Sequence, residues 1–137
     1  MFTITREINA PVGEVWKTFS DESTFRKWMP FISSWKAEVG FETTFELGPD
    51  PEHQFKHLLT VMEVVPEKNL TYGWKYPGYA GDSRVSYTLE AEGDKTKVTL
   101  THIITEPFPP EESFSDENFA EGWTYTIDGL KKFVENT

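Results

Sequence analysis

The feature that most limits how this chain can fold is the run from Ser115 to Asn136. Phe119, Trp123, Ile127, Leu130 and Val134 recur there at steps of four, four, three and four. At 3.6 residues per turn they form one apolar stripe, so the run is expected to be a helix with a single buried face. Its ends agree with the stripe. Ser115 can cap it, Asp116 and Glu117 fall in the first turn, where the helix dipole favours anions, and Lys131 and Lys132 fall in the last. Burying side chains of this size contributes roughly 1.5–3 kcal/mol each before entropy is subtracted, enough to make the helix the cover of whatever the rest of the chain builds. Gly122 and Gly129 lie on nearly the same face, beside Trp123, and each costs about 1 kcal/mol relative to alanine in a helix interior. Two readings are open: close helix–sheet approach, which is preferred, or room left for a ligand beneath the helix.

The preceding residues read as strands after a short helical insert. Phe2, Ile4, Arg6 and Ile8 alternate with Thr3, Thr5 and Glu7, a first strand ended by Pro11. Val12, Val15, Trp16 and Phe19 follow at helical spacing, and a second short helix, capped by Ser20 or Asp21, carries Phe25 and Trp28 and closes at Pro30. Six further strands are expected: Trp35 to Val39, Glu42 to Leu47, Phe55 to Val65, Leu70 to Tyr76, Val85 to Ala91, and Val98 to Ile104. Short turns such as Gly48-Pro49-Asp50-Pro51 and Gly93-Asp94 separate them, so the simplest arrangement is an antiparallel meander. The segment after Thr105, EPFPPEESFSDE, reads as a solvated acidic connector. The fold class is therefore α+β: a curved, antiparallel seven-stranded sheet gripping one long helix, with two short helices plugging an end and a hydrophobic cavity between the layers.

Composition narrows the function. A chain of 137 residues is expected to be one domain, 1–137. Lys and Arg total 13 against 23 Asp and Glu, a formal charge of −10, which repels nucleic acid and anionic membranes at long range. No cysteine is present, so disulfides, thiolate metal sites and thiol nucleophiles are excluded. No stretch approaches the ~18 apolar residues of a membrane span, and MFTITREINAP lacks the pattern of a signal peptide, so a cytoplasmic location is expected.

Several motifs, in order, resemble a known family. Ala10-Pro11-Val12-x-x-Val15-Trp16 and Phe25-x-Lys27-Trp28-x-Pro30 are similar to its two short helices. Val39-Gly40, Glu63-Val64-Val65-Pro66-Glu67-x-x-Leu70-x-Tyr72-x-Trp74 and Thr96-Lys97-Val98-Thr99-Leu100-Thr101-His102 are similar to its central strands. Gly122-Trp123 and Leu130-Lys131 are similar to its last helix. Together they resemble the START and Bet v 1-like (SRPBCC) superfamily, and within it the family named for the activator of heat-shock-protein-90 ATPase homologue. Met29 and Phe41 depart from it, standing where many relatives carry a second aromatic and a second glycine. The resemblance implies the helix-grip fold and a pocket but no shared catalytic constellation: relatives bind lipids, hormones or polyketides, some modify aromatic ligands, and the namesake binds a chaperone.

Residue by residue, the wall candidates are Trp28, Trp74, Tyr76, Tyr87, Phe119 and Trp123, aromatic groups that suit a planar or lipid-like ligand and equally suit a core. His102 shares the inward strand face with Val98, Leu100 and Ile104. It is either a polar anchor or base in the pocket, or, as preferred, a neutral histidine satisfied by a hydroxyl such as that of Tyr87. His53 and His57 do not converge on a metal at their spacing in a loop entering a strand, and Glu111, Glu112, Asp116 and Glu117 lack the pattern of a calcium loop. The leading expectation is a binding protein, monomeric or weakly dimeric and without cofactor, for a small hydrophobic or aromatic ligand, gated by Pro77 to Asp82 and the segment before the last helix. A chaperone-contact module comes second, and a cyclase- or hydrolase-like enzyme using His102 third.

Overall fold

The alternating segments pair into one antiparallel sheet in a computed structural model that describes residues 1–48 and 50–136. Pro49 of the turn-rich stretch, and Thr137, lie outside the described residues. The elements run β1 (Phe2–Ile8), α1 (Val12–Ser20), α2 (Glu22–Trp28), β2 (Glu42–Leu47), β3 (Phe55–Val65), β4 (Asn69–Lys75), β5 (Asp82–Glu92), β6 (Lys95–Glu106), a single 3-10 turn (Glu112–Phe114) and α3 (Asp116–Glu135). Strand order is β1-β6-β5-β4-β3-β2, so the first strand pairs with the last and the helical insert spans the two edges. No helix among the described residues is long and apolar enough to cross a membrane.

Among the described residues the sheet has six strands, where seven were expected. The stretch from Trp35 to Val39 is not a strand, because its apolar residue is claimed by the helices. Trp35 stacks on Phe25 with ring centroids 3.9 Å apart, its indole N–H donates to the Phe19 carbonyl at 2.6 Å, and its backbone N–H donates to Glu22 at 3.1 Å. A backbone held by side chains in this way has no ladder to join; pairing resumes only at Gly40 and Phe41, which exchange bonds of 2.8 Å with Val61.

The long helix forms as its pattern requires. Ser115 Oγ accepts from the Asn118 N–H at 3.1 Å, and Phe119, Trp123, Ile127, Leu130 and Val134 are all buried. Polar contacts fix its azimuth on β1: Arg6 Nε donates to Asp128 at 2.7 Å, and Lys131 Nζ bridges Glu135 and the Glu7 carbonyl, each at 2.7 Å. These half-exposed contacts contribute about 0–1 kcal/mol each, so the stripe carries the energy and the charges set the register.

Close approach does not explain the two helix glycines. A Cβ at Gly122 or Gly129 would meet nothing within 4 Å, which overturns the preferred reading of them. Nothing in the structure explains Gly122. The close approach occurs at Gly81, whose φ is +110° and whose added Cβ would overlap the Phe108 ring and lie 2.8 Å from the Phe108 Cα. The connector is thus only partly solvated: Phe114 is buried, Phe108 is half-buried, and both rings pack into the core.

These environments predict opposite outcomes for one substitution. Gly122→Ala should raise unfolding free energy by about 0.5–1 kcal/mol, because the site is open and helical. Gly81→Ala should lower it by about 1–3 kcal/mol, through a disfavoured positive φ and the collision with Phe108. Urea denaturation of the two variants checks both signs.

Candidate functional site

The inward faces of β3 to β6 and the stripe of α3 meet in a continuous aromatic layer. Trp74 on β4 meets Trp123 on α3 at 4.8 Å between ring centroids. Tyr76, just past β4, packs against Phe114 at 4.9 Å and Phe108 at 5.5 Å, and more loosely against Phe119 at 6.4 Å. His102 on β6 lies between Phe119, at 4.9 Å, and Trp123, at 5.4 Å. Hence Trp74, Tyr76, His102, Phe119 and Trp123 are brought together. Tyr87 and Trp28 are not: Tyr87 packs on Phe19 at 4.9 Å, and Trp28 stands edge-on to Phe19 and Phe25 at the outer end of the helical insert.

These rings meet across the space where a hollow between the layers was expected, and two hollows open at the surface. The smaller, about 320 Å3, lies at the N-terminal end of α3 against the β1–β6 edge, with His102, Phe119, Phe2, Ile104, Asp116 and Glu117 in its wall. The larger, about 460 Å3, lies between α2 and the C-terminal end of α3 and includes Trp28. Sequence reasoning missed Phe108 and Phe114. Their signal was two isolated phenylalanines in an otherwise acidic, proline-rich segment, where nothing but burial accounts for them.

Most polar groups in and beside the aromatic layer are paired. Trp28 Nε1 donates to the Thr18 carbonyl at 3.0 Å, and Trp74 Nε1 donates to the Tyr76 hydroxyl at 3.1 Å. The Tyr72 and Tyr87 hydroxyls bond each other at 2.8 Å, so Tyr87 does not satisfy His102 as expected. Among the described residues, two buried side-chain atoms are left without a partner: Nε2 of His102, a residue 2% exposed, and Nε1 of Trp123, 4% exposed. Each such group costs about 1–3 kcal/mol while it stays unpaired.

Burial also fixes protonation. The pKa of His102 is lowered to about 4, first by burial and then by the N-terminal ammonium, against a smaller opposing effect of Asp116. That of His57, stacked on Phe45, is lowered to about 4 by burial, opposed by its hydrogen bond to the Phe55 carbonyl. Burial pushes the Tyr76 hydroxyl up to about 12. An imidazole this acidic when protonated is a weak base at neutral pH, so His102 is suited to hydrogen bonding and poorly suited to proton abstraction. His53 Nδ1 bonds Asp50 at 2.7 Å, and no group of three or more His, Asp or Glu among the described residues could hold a metal ion.

The comparisons agree with this architecture. The family described as Activator of Hsp90 ATPase homolog 1-like protein matches residues 9–135. The chain belongs to that family. No curated protein matches the sequence. Among solved structures, this Activator of Hsp90 ATPase homolog 1-like chain is similar to the Mll3558 protein from Rhizobium loti, with TM-score 0.83 and 20% identity over 96% of this chain and 94% of that one. It is similar to DynU16, a protein of the dynemicin biosynthetic locus, with TM-score 0.76 and 22% identity over 97% of this chain and 46% of that one. A START superfamily protein from Mycobacterium smegmatis gives TM-score 0.74 and 12% identity over 98% of this chain and 97% of that one. At these identities the likeness shows the fold: an α+β, START-like, antiparallel sheet with a C-terminal helix.

The depressed histidine values set a pH window. In the unfolded chain both imidazoles protonate near 6.5, and in the folded protein near 4. Between those values the unfolded state binds more protons, so their contribution is full above pH 6.5 and is lost as pH falls towards 4. Imidazole NMR resonances of His57 and His102 should stay in their neutral positions down to about pH 5. Stability should fall by at least about 2 kcal/mol across the window, with a shallower fall in His102→Gln.

Proposed function

We propose that this protein binds a small apolar or aromatic molecule carrying a hydroxyl group, held between β6 and the N-terminal half of α3. The observation that carries the reading is the pair of unpartnered buried atoms, His102 Nε2 and Trp123 Nε1, in a layer whose other indoles and phenols are mostly paired. With the two rings 5.4 Å apart between centroids, a single hydroxyl would serve both by accepting from the indole N–H and donating to the neutral imidazole. Phe119, Trp74 and Tyr76 would supply apolar area around it. Binding energy would come from burial of the ligand's apolar surface, and orientation from the two hydrogen bonds.

Charge and access support the same class. Asp116 and Glu117 stand at the rim of the smaller hollow and the Met1 ammonium, in the same wall, partly offsets them, so a neutral ligand is the one that suits it. A ligand enters by displacing the connector, whose Phe108 and Phe114 rings already occupy an aromatic place beside Tyr76. The fold supports a binding role, since it sets a long helix over a sheet with an aromatic layer between them. Trp28 and Tyr87, wall candidates on sequence grounds, would support the helical insert and not touch this ligand.

Calorimetric titration with 2-naphthol and with naphthalene tests the reading. We expect 2-naphthol to bind at least about tenfold more tightly, the worth of one or two buried hydrogen bonds. Trp123→Phe, which keeps a ring and removes the N–H, should erase most of that difference while leaving naphthalene binding nearly unchanged. Absence of binding by 2-naphthol, by sterols and by fatty alcohols would overturn it.

A further inference from the structure

We propose a second ligand site, in the groove between α2 and the C-terminal end of α3, that takes an aromatic monocarboxylate. The groove holds about 460 Å3 and is walled by Lys27, Trp28, Gly129, Lys132, Phe133 and Asn136. It lies roughly 20 Å along α3 from the His102 hollow, at a rise of 1.5 Å per residue, and does not depend on the function proposed there.

Three independent features define the occupant. The first is charge. The whole chain carries −10, yet the charged groups of this groove are Lys27 and Lys132, with no acidic side chain in its wall. Neither lysine is ion-paired among the described residues, whereas the adjacent Lys131 is committed to Glu135 and the Glu7 carbonyl. Two unpaired ammonium groups over an apolar wall present donors to one small anion. The second is the wall. Trp28 is held rigidly by its bond to the Thr18 carbonyl and by edge contacts with Phe19 and Phe25, and Phe133 is half-buried beside the core. An aromatic body can lie against these rings without ordering them further.

The third feature is Gly129. It sits in the helix interior, is half-buried, and has nothing within 4 Å of where a Cβ would be. No close packing requires glycine there, and the missing side chain widens the groove floor. Long anions are disfavoured by the negative charge of the rest of the molecule, which repels nucleic acid and anionic membranes; a compact monoanion meets chiefly the two lysines. The two ends of α3 would thus take different ligand types: neutral and hydroxylated near His102, where Asp116, Glu117 and the Met1 ammonium offset one another, and anionic and carboxylated near Trp28.

Amide NMR titration with 1-naphthoate, alongside its neutral isostere 1-naphthamide, tests the proposal. Shifts should cluster at residues 27–28 and 129–136, and 1-naphthamide should bind about tenfold more weakly, the worth of a charge-assisted hydrogen bond. The double variant Lys27→Gln/Lys132→Gln should weaken 1-naphthoate by about tenfold or more and remove its salt dependence. Gly129→Leu should abolish binding without lowering thermal stability, since leucine favours helix and nothing opposes its Cβ. Absence of shifts up to millimolar 1-naphthoate, equal binding of the acid and the amide, or retention of binding in both variants would each overturn it.

Discussion

The contact of Trp123 with Trp74, ring centroids 4.8 Å apart, is where the long helix meets the middle of the sheet, and the rest of the structure depends on it. One antiparallel sheet cannot bury its own inner face. The stripe of α3 covers that face, and the aromatic rings on both sides determine how far apart the layers sit. Because large flat rings fill the interface, the hydrogen-bonding capacity of the layer is limited to the few polar tips among them. That is why a histidine and an indole at its centre can be buried without partners. The same packing that stabilises the grip also leaves two groups that the hydroxyl of the proposed ligand would satisfy.

Much of this was readable from residue order. The stripe, the Ser115 cap and the charged ends of α3 agree because each answers the same helical geometry. The inward placement of His102 followed from strand parity with Val98 and Leu100. The failures have physical causes. Trp35 to Val39 has strand-like composition, but Trp35 is bound by Phe19, Phe25 and Glu22, contacts no local pattern encodes. The connector reads as solvated from its charges, yet Phe108 is admitted by a glycine that lies 27 residues earlier, at position 81. The partner of Tyr87 is Tyr72 and not His102, a choice made by neighbouring strands that the sequence alone leaves open.

The two proposed sites divide along α3 in the same physical terms. At its N-terminal end, the acidic first-turn residues that suit the helix dipole share the nearby hollow with the Met1 ammonium, which leaves it without a strong preference for anions. At its C-terminal end, Lys132 suits the dipole and, beside Lys27, makes the opposite groove anion-seeking. On these proposals, the charges that complement the helix would also bias which ligand each end takes. Between them, the rings of Phe108 and Phe114 fill an aromatic place that a guest would otherwise occupy, so guest entry and connector movement are expected to be one event.

The claim on which this account rests most directly is that the Trp123 indole N–H is unbonded until a ligand arrives. The indole region of a 1H–15N NMR spectrum, recorded before and after saturation with 2-naphthol, measures it. The Trp123 indole proton should lie upfield of those of Trp28, Trp35 and Trp74, which are hydrogen-bonded, and move downfield towards them on saturation. A Trp123 resonance that already lies among them in the free protein, and does not move, would contradict it.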